Sequence, residues 1–168
     1  MRSRGVPAGS KRSGFRPLIL ILMPPLLGSC DPVPSLDRIG LTSGADHLQL
    51  RYVLCPEEIV TRIRLFEIHG DSVPDEDDLV IWEIRANEPK RREVFVVGDT
   101  PSGYEEIVPL AHDPRPNMLY SFTVDSTRQS IVALGFKSDQ LEGGRVLTRD
   151  GDLLTKKEFV TSARQTCT

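Results

Sequence analysis

Three histidines, His47, His69 and His112, are the side chains best suited to proton transfer or metal ligation near neutral pH. No two are close in the sequence, and none belongs to a His-x-x-x-His or Cys/His pattern, so no metal site is expected. Five acids follow His69 in one stretch: Asp71, Asp75, Glu76, Asp77 and Asp78. Calcium takes several oxygen ligands from such a turn, but the spacing is not that of an EF-hand and the turn-forming glycine is missing. The stretch reads as a solvated acidic loop between strands, and Asp150 and Asp152 read as parts of a turn. No serine sits in a Gly-x-Ser-x-Gly or Ser-x-x-Lys pattern, and Ser102, Ser126 and Thr127 read as turn residues. No glycine-rich phosphate loop follows a strand and opens a helix. Aromatic residues make up only 6 % of the chain, which disfavours a stacking surface for sugars or single-stranded nucleic acid. The basic knot Lys90-Arg91-Arg92 is either a solvated turn or a contact for an anionic envelope polymer. The sequence therefore offers no catalytic set and implies no cofactor.

The N-terminus is more specific. Residues 2–16 carry Arg2, Arg4, Lys11, Arg12 and Arg16 and no acid. The run Leu18 to Leu27 follows, apolar but for Pro24-Pro25. Basic residues ahead of a short apolar run are the layout of an export signal. A membrane-spanning helix needs about 20 apolar residues, and the proline pair would break a helix that tried to continue. Gly28 and Ser29 then precede Cys30, where a signal peptidase could reach the backbone.

The segment Leu27-Gly28-Ser29-Cys30 resembles the lipobox of bacterial lipoproteins: a branched apolar residue three before the cysteine, then two small residues. The resemblance covers the first thirty residues. It implies that the Cys30 thiol is acylated, that residues 1–29 are removed, and that Cys30 becomes the mature N-terminus. Membrane binding through a lipid anchor follows, because two or three acyl chains hold a soluble domain durably where one does not. Asp31-Pro32-Val33-Pro34-Ser35 is short, polar and proline-stiffened, as a spacer should be. In double-membrane bacteria an Asp after the cysteine resembles an inner-membrane retention signal. Arg outnumbers Lys sixteen to five, and the chain is similar in general character to small envelope lipoproteins of high-GC Gram-positive bacteria. An ordinary signal peptide with a chance cysteine is the alternative.

On that reading the mature part has 139 residues, the size of one ordinary domain. Its 24 acids face 16 bases, for a net charge near −8 against −3 for the whole chain. Such a domain is repelled at long range by anionic lipid headgroups and by nucleic acid, and nucleic acid is not an expected partner. With Cys30 acylated, Cys55 and Cys167 remain. An even remainder in an exported protein suggests a disulfide; two free thiols are the alternative.

The elements that must position these residues read as strands. Residues 47–54 alternate through Leu48, Leu50, Tyr52 and Leu54. Residues 60–68 alternate through Ile63 and Leu65, then through Phe66 and Ile68, and the change of face predicts a bulge near Leu65. Residues 79–86 place Val80, Trp82, Ile84 and Ala86 together. Further runs lie at 93–97, 119–124 and 130–136, and 145–148 with 153–155 flank Asp150-Gly151, a tight-hairpin signal. Pro56-Glu57-Glu58 could open a helix over 56–68, but the β-branched content favours a strand. No long amphipathic helix is found.

About seven short strands without intervening helices predict an all-β fold, a single β-sandwich. Trp82 between two distant cysteines suggests an immunoglobulin-like variant, although the 55–167 span is long for an inter-sheet bridge. The expected organisation is a signal peptide over 1–29, a lipidated tether over 30–45 and the sandwich over 46–168. The expected function is a non-catalytic interaction or structural module at the extracytoplasmic face of the cell membrane, partnered by an envelope protein or polymer. A small solute- or ion-binding lipoprotein and an envelope hydrolase are the rivals.

Overall fold

A computed structural model describes residues 38–44, 47–69, 78–88, 90–132 and 135–167. They form an all-β sandwich of two antiparallel sheets with one short helix. The strands are β1 (Ile39–Ser43), β2 (Leu48–Tyr52), β3 (Val60–Ile68), β4 (Leu79–Ala86), β5 (Val94–Val96), β6 (Tyr104–Val108), β7 (Leu119–Ser126), β8 (Ser130–Val132), β9 (Arg145–Thr148) and β10 (Leu153–Thr155). Helix α1 (Lys156–Gln165) follows the last strand. The first sheet runs β10-β9-β1-β2-β5 and the second β6-β4-β3-β7-β8.

The alternating patterns place large side chains between the sheets. Tyr52, Ile63, Leu65, Trp82, Ile84, Phe95, Tyr120 and Phe122 are essentially fully buried. Burying each aliphatic or Phe side chain contributes about 1.5–3 kcal/mol against its exposed state. The expected bulge is present: the β3–β4 register shifts between Leu65 and Phe66, where β3 changes its buried face. The Asp150-Gly151 hairpin also forms, with Gly151 at φ +86 joining β9 to β10.

Three elements were not expected. Strand β1 lies inside the stretch assigned above to the tether, so the sandwich takes in residues from Arg38 onward. Its second residue, Gly40, spoils the apolar alternation, yet the pairings with β2 and β9 hold it. Strand β6 carries the exposed pair Glu105-Glu106, which hides the strand pattern and suits an edge, where charge discourages further pairing. Helix α1 buries only Phe159 and Ala163, one helical turn apart. Its start was readable as the capping box Thr155-x-x-Glu158: the Glu158 amide donates to Thr155 Oγ1 at 3.3 Å, and Glu158 Oε2 accepts from the Thr155 amide at 2.8 Å.

Gly40 has a packing reason. A Cβ there would stand 2.2 Å from Val146 Cγ1 and 3.0 Å from Phe159 Cζ, so the glycine lets β1 accept the small core of Val53, Val146, Phe159 and Ala163 under α1. We expect Gly40→Ala to cost about 1–3 kcal/mol by overpacking. Adding Val146→Ala should recover part of that loss, read as a positive coupling in a double-mutant cycle of urea unfolding.

The disulfide forms between Cys55 and Cys167, with Cα atoms 5.2 Å apart. It joins the connection after β2 to the segment after α1. It does not bridge the faces of the two sheets, which is the mark of immunoglobulin domains.

Candidate functional site

The strand registers define two ends of the sandwich. Ile39 pairs with Tyr52 and Val60 with Ser126 at one end, here the base. Ser43 pairs with Leu48 and Ile68 with Leu119 at the other, here the far end. The described chain begins at the base with Arg38, and the disulfide lies there too. Each end holds one buried carboxylate.

At the base, Glu58 is fully buried. The turn Cys55-Pro56-Glu57-Glu58 carries it inward, with Glu57 at φ +61 and the Glu58 amide donating to the Cys55 carbonyl at 3.2 Å. Arg38 donates to both carboxylate oxygens. The Tyr52 hydroxyl and Ser126 Oγ each donate to Oε1 at 2.7 Å, and the Cys55 amide donates to Oε2 at 3.0 Å. Burial alone would push the Glu58 carboxyl up. The bonds from Arg38, Ser126, Tyr52 and the Cys55 amide outweigh it and hold the carboxyl at about 2. Burial, followed by the bond to Glu58, pushes the Tyr52 hydroxyl well above its usual range. Neither group exchanges a proton near neutral pH, and every oxygen of Glu58 is occupied. The cluster pins the residue ahead of β1, the end of β2 and the end of β7 together. Ser126, expected in a turn, is the last residue of β7 and flanks the turn that follows, accepting from the Gln129 amide at 3.1 Å.

At the far end, Glu67 of β3 is 5 % exposed. Arg115 donates to its two oxygens at 3.1 and 2.9 Å, and His112 Nε2 stands 3.1 Å from Oε2. His69 Nε2 lies 3.9 Å from Oε1. One carboxylate thus gathers His69, two residues along the chain, and His112, which only the fold brings near. The Arg115 amide donates to the Tyr120 hydroxyl at 2.9 Å, which fixes the loop that carries His112. The third histidine, His47, lines a groove of about 280 Å³ at the same end, with Ser43, Gly44, Asp113, Pro114 and Ser138 among its walls.

No family model matches the chain, and neither a curated protein nor a solved structure does. The chemistry therefore rests on the residues themselves. The guanidinium of Arg115 already occupies both oxygens of Glu67. Among the described residues no group of three or more His, Cys, Asp or Glu is arranged to hold a metal ion. None of their helices is long and apolar enough to cross a membrane.

The predicted site residues fall as follows. Cys55 and Cys167 are bonded at the base. Cys30 lies outside the described residues, as do Asp71, Asp75, Glu76 and Asp77. Asp78, the last of that acidic stretch, accepts the His69 amide at 2.9 Å just before β4. The knot Lys90-Arg91-Arg92 is exposed at the base, and Arg91 donates to the Cys55 and Leu54 carbonyls at 3.0 and 3.1 Å. Sequence reasoning missed Arg38, Glu58, Glu67 and Arg115. No local pattern marks them, because each finds its partners only through strand pairing.

Proposed function

We propose that this protein is a lipid-anchored, extracytoplasmic interaction or structural module of a bacterial cell envelope, without catalysis. The observation that carries the reading is the Cys55–Cys167 bond. Such bonds persist in oxidising, extracytoplasmic compartments. This one engages two of the three cysteines and leaves Cys30, in Leu27-Gly28-Ser29-Cys30, as the odd one. A compact sandwich whose buried acids are saturated by internal partners supports a domain that presents a surface. The far-end groove favours the solute-binding rival, but at about 280 Å³ it falls just below the usual 300–1,000 Å³ range of ligand sites, and its walls mix Leu48, Val97, Pro114 and Leu141 with polar residues.

The test is the intact mass of the protein taken from its native membrane without reductant. The expected mass is that of a chain beginning at Cys30, plus acyl groups and less two hydrogens for the disulfide. A mass fitting cleavage elsewhere with no lipid would remove the anchor and leave a secreted domain.

A further inference from the structure

The base of the sandwich carries a cluster of exposed bases. The base displays Lys90, Arg91 and Arg92 in the connection after β4, and Arg128 in the turn after β7, all exposed. Glu57 and Glu88 are the exposed acids beside these four bases, and Glu93 is turned inward, its Oε1 lying 3.4 Å from the Leu54 amide that donates to it. The connection from β3 to β4 holds Asp71, Asp75, Glu76, Asp77 and Asp78 and no base. The described chain also enters the sandwich at the base, through Arg38, eight residues after Cys30. Eight residues reach at most about 28 Å, comparable to the length of the nine-residue strand β3 at about 3.3 Å per residue.

From this placement we propose that the base is a docking surface for anionic lipid. Lys90, Arg91 and Arg92 meet the headgroups, and the sandwich stands with its histidine-bearing end pointing away from the bilayer. The proposal rests on the reading of Cys30 as the anchor and deepens it by naming which face meets the membrane. The physics is local charge on a globally acidic domain. A Lys or Arg near an anionic surface gains attraction that decays within a Debye length, so a basic cluster that touches the surface outweighs net negative charge held farther away. Arg91 is held by two backbone carbonyls, so its charge is fixed in position.

The described fold lies within one compact unit, Pro32–Thr168, so the chain from Cys30 onward carries it whole. With Cys55 and Cys167 bonded, Cys30 is the free thiol and couples to a maleimide lipid, which makes the measurement independent of whether cells acylate it. Lys90 at the base and Lys137 beside the far-end groove are both exposed and serve as paired reporters of amine acetylation. On vesicles with phosphatidylglycerol as about a third of the lipid, acetylation of Lys90 should fall about fivefold relative to Lys137. On phosphatidylcholine alone the ratio should return to that of the free protein, as it should at high salt. Arg92→Glu should abolish the protection. Equal acetylation of the two lysines on anionic vesicles, or protection of Lys137 instead, would overturn the proposal. Failure of the anchor reading would show separately, in the native mass.

Discussion

Glu58→Gln is expected to destabilise the fold by about 3–5 kcal/mol, because it strands the Arg38 guanidinium as an unpaired charge in the interior. Arg38 is 5 % exposed and Glu58 is not exposed at all. Arg38 has few other partners: Cys55 Sγ at 3.0 Å and the Val53 carbonyl at 3.4 Å. The double replacement Arg38→Met with Glu58→Leu should recover much of the loss, since removing both charges leaves no orphan. Urea unfolding of the three chains reads both outcomes, and a Glu58→Gln loss under about 1 kcal/mol would remove the cluster from the list of what holds the base together.

The same carboxylate predicts a pH dependence with a definite sign. Its folded value, about 2, lies below its ordinary 4.5. The stabilisation is therefore complete above the ordinary value and is lost as pH falls from about 4.5 toward 2. The shift corresponds to about 3 kcal/mol. The Glu58→Gln chain should lack this component, so its stability should approach that of the parent as the solution is acidified. Parallel curves for the two chains between pH 5 and pH 2 would contradict the assignment.

The second large effect is expected from the disulfide. It spans 112 residues, and the loss of loop-closure entropy from the unfolded chain gives a figure near 4.7 kcal/mol for a loop of about that length. Replacing both cysteines by alanine should cost about 2–5 kcal/mol, a large share of a domain stability of about 5–15 kcal/mol. The effect should be read in denaturation midpoints and in earlier proteolysis of α1. That helix is otherwise held by Phe159 and Ala163 and by its own cap. A double replacement with an unchanged midpoint would mean that those contacts suffice.

The sandwich was legible wherever one strand face is buried and the other is wet. Leu48 through Leu54, Val60 through Ile68 and Leu119 through Val124 announced themselves by alternation, and the bulge at Leu65 by a change of face. β1 and β6 were hidden for opposite reasons: Gly40 removes an apolar side chain where α1 needs room, and Glu105-Glu106 puts charge on an edge. The helix was hidden because two buried residues make too thin a stripe to register, although Thr155 and Glu158 marked its start. The Cys55–Cys167 pairing followed from counting and compartment. The two carboxylate clusters could not be read at all. Glu58 meets Ser126 across 68 residues and Glu67 meets Arg115 across 48, and only the strand order brings those pairs together.

The position of Cys167 also sets an order of events. All ten strands and the helix precede it in the chain, so Cys55 must wait for every one of them to emerge before its partner exists. A chain that emerges N-terminus first can pair β1 with β2, and β3 with β4, long before that moment. The bond is thus a latch that can close only behind a finished sandwich. Until then Cys55 is an unpaired thiol beside Arg38, and that interval is the period in which a wrong partner can capture it.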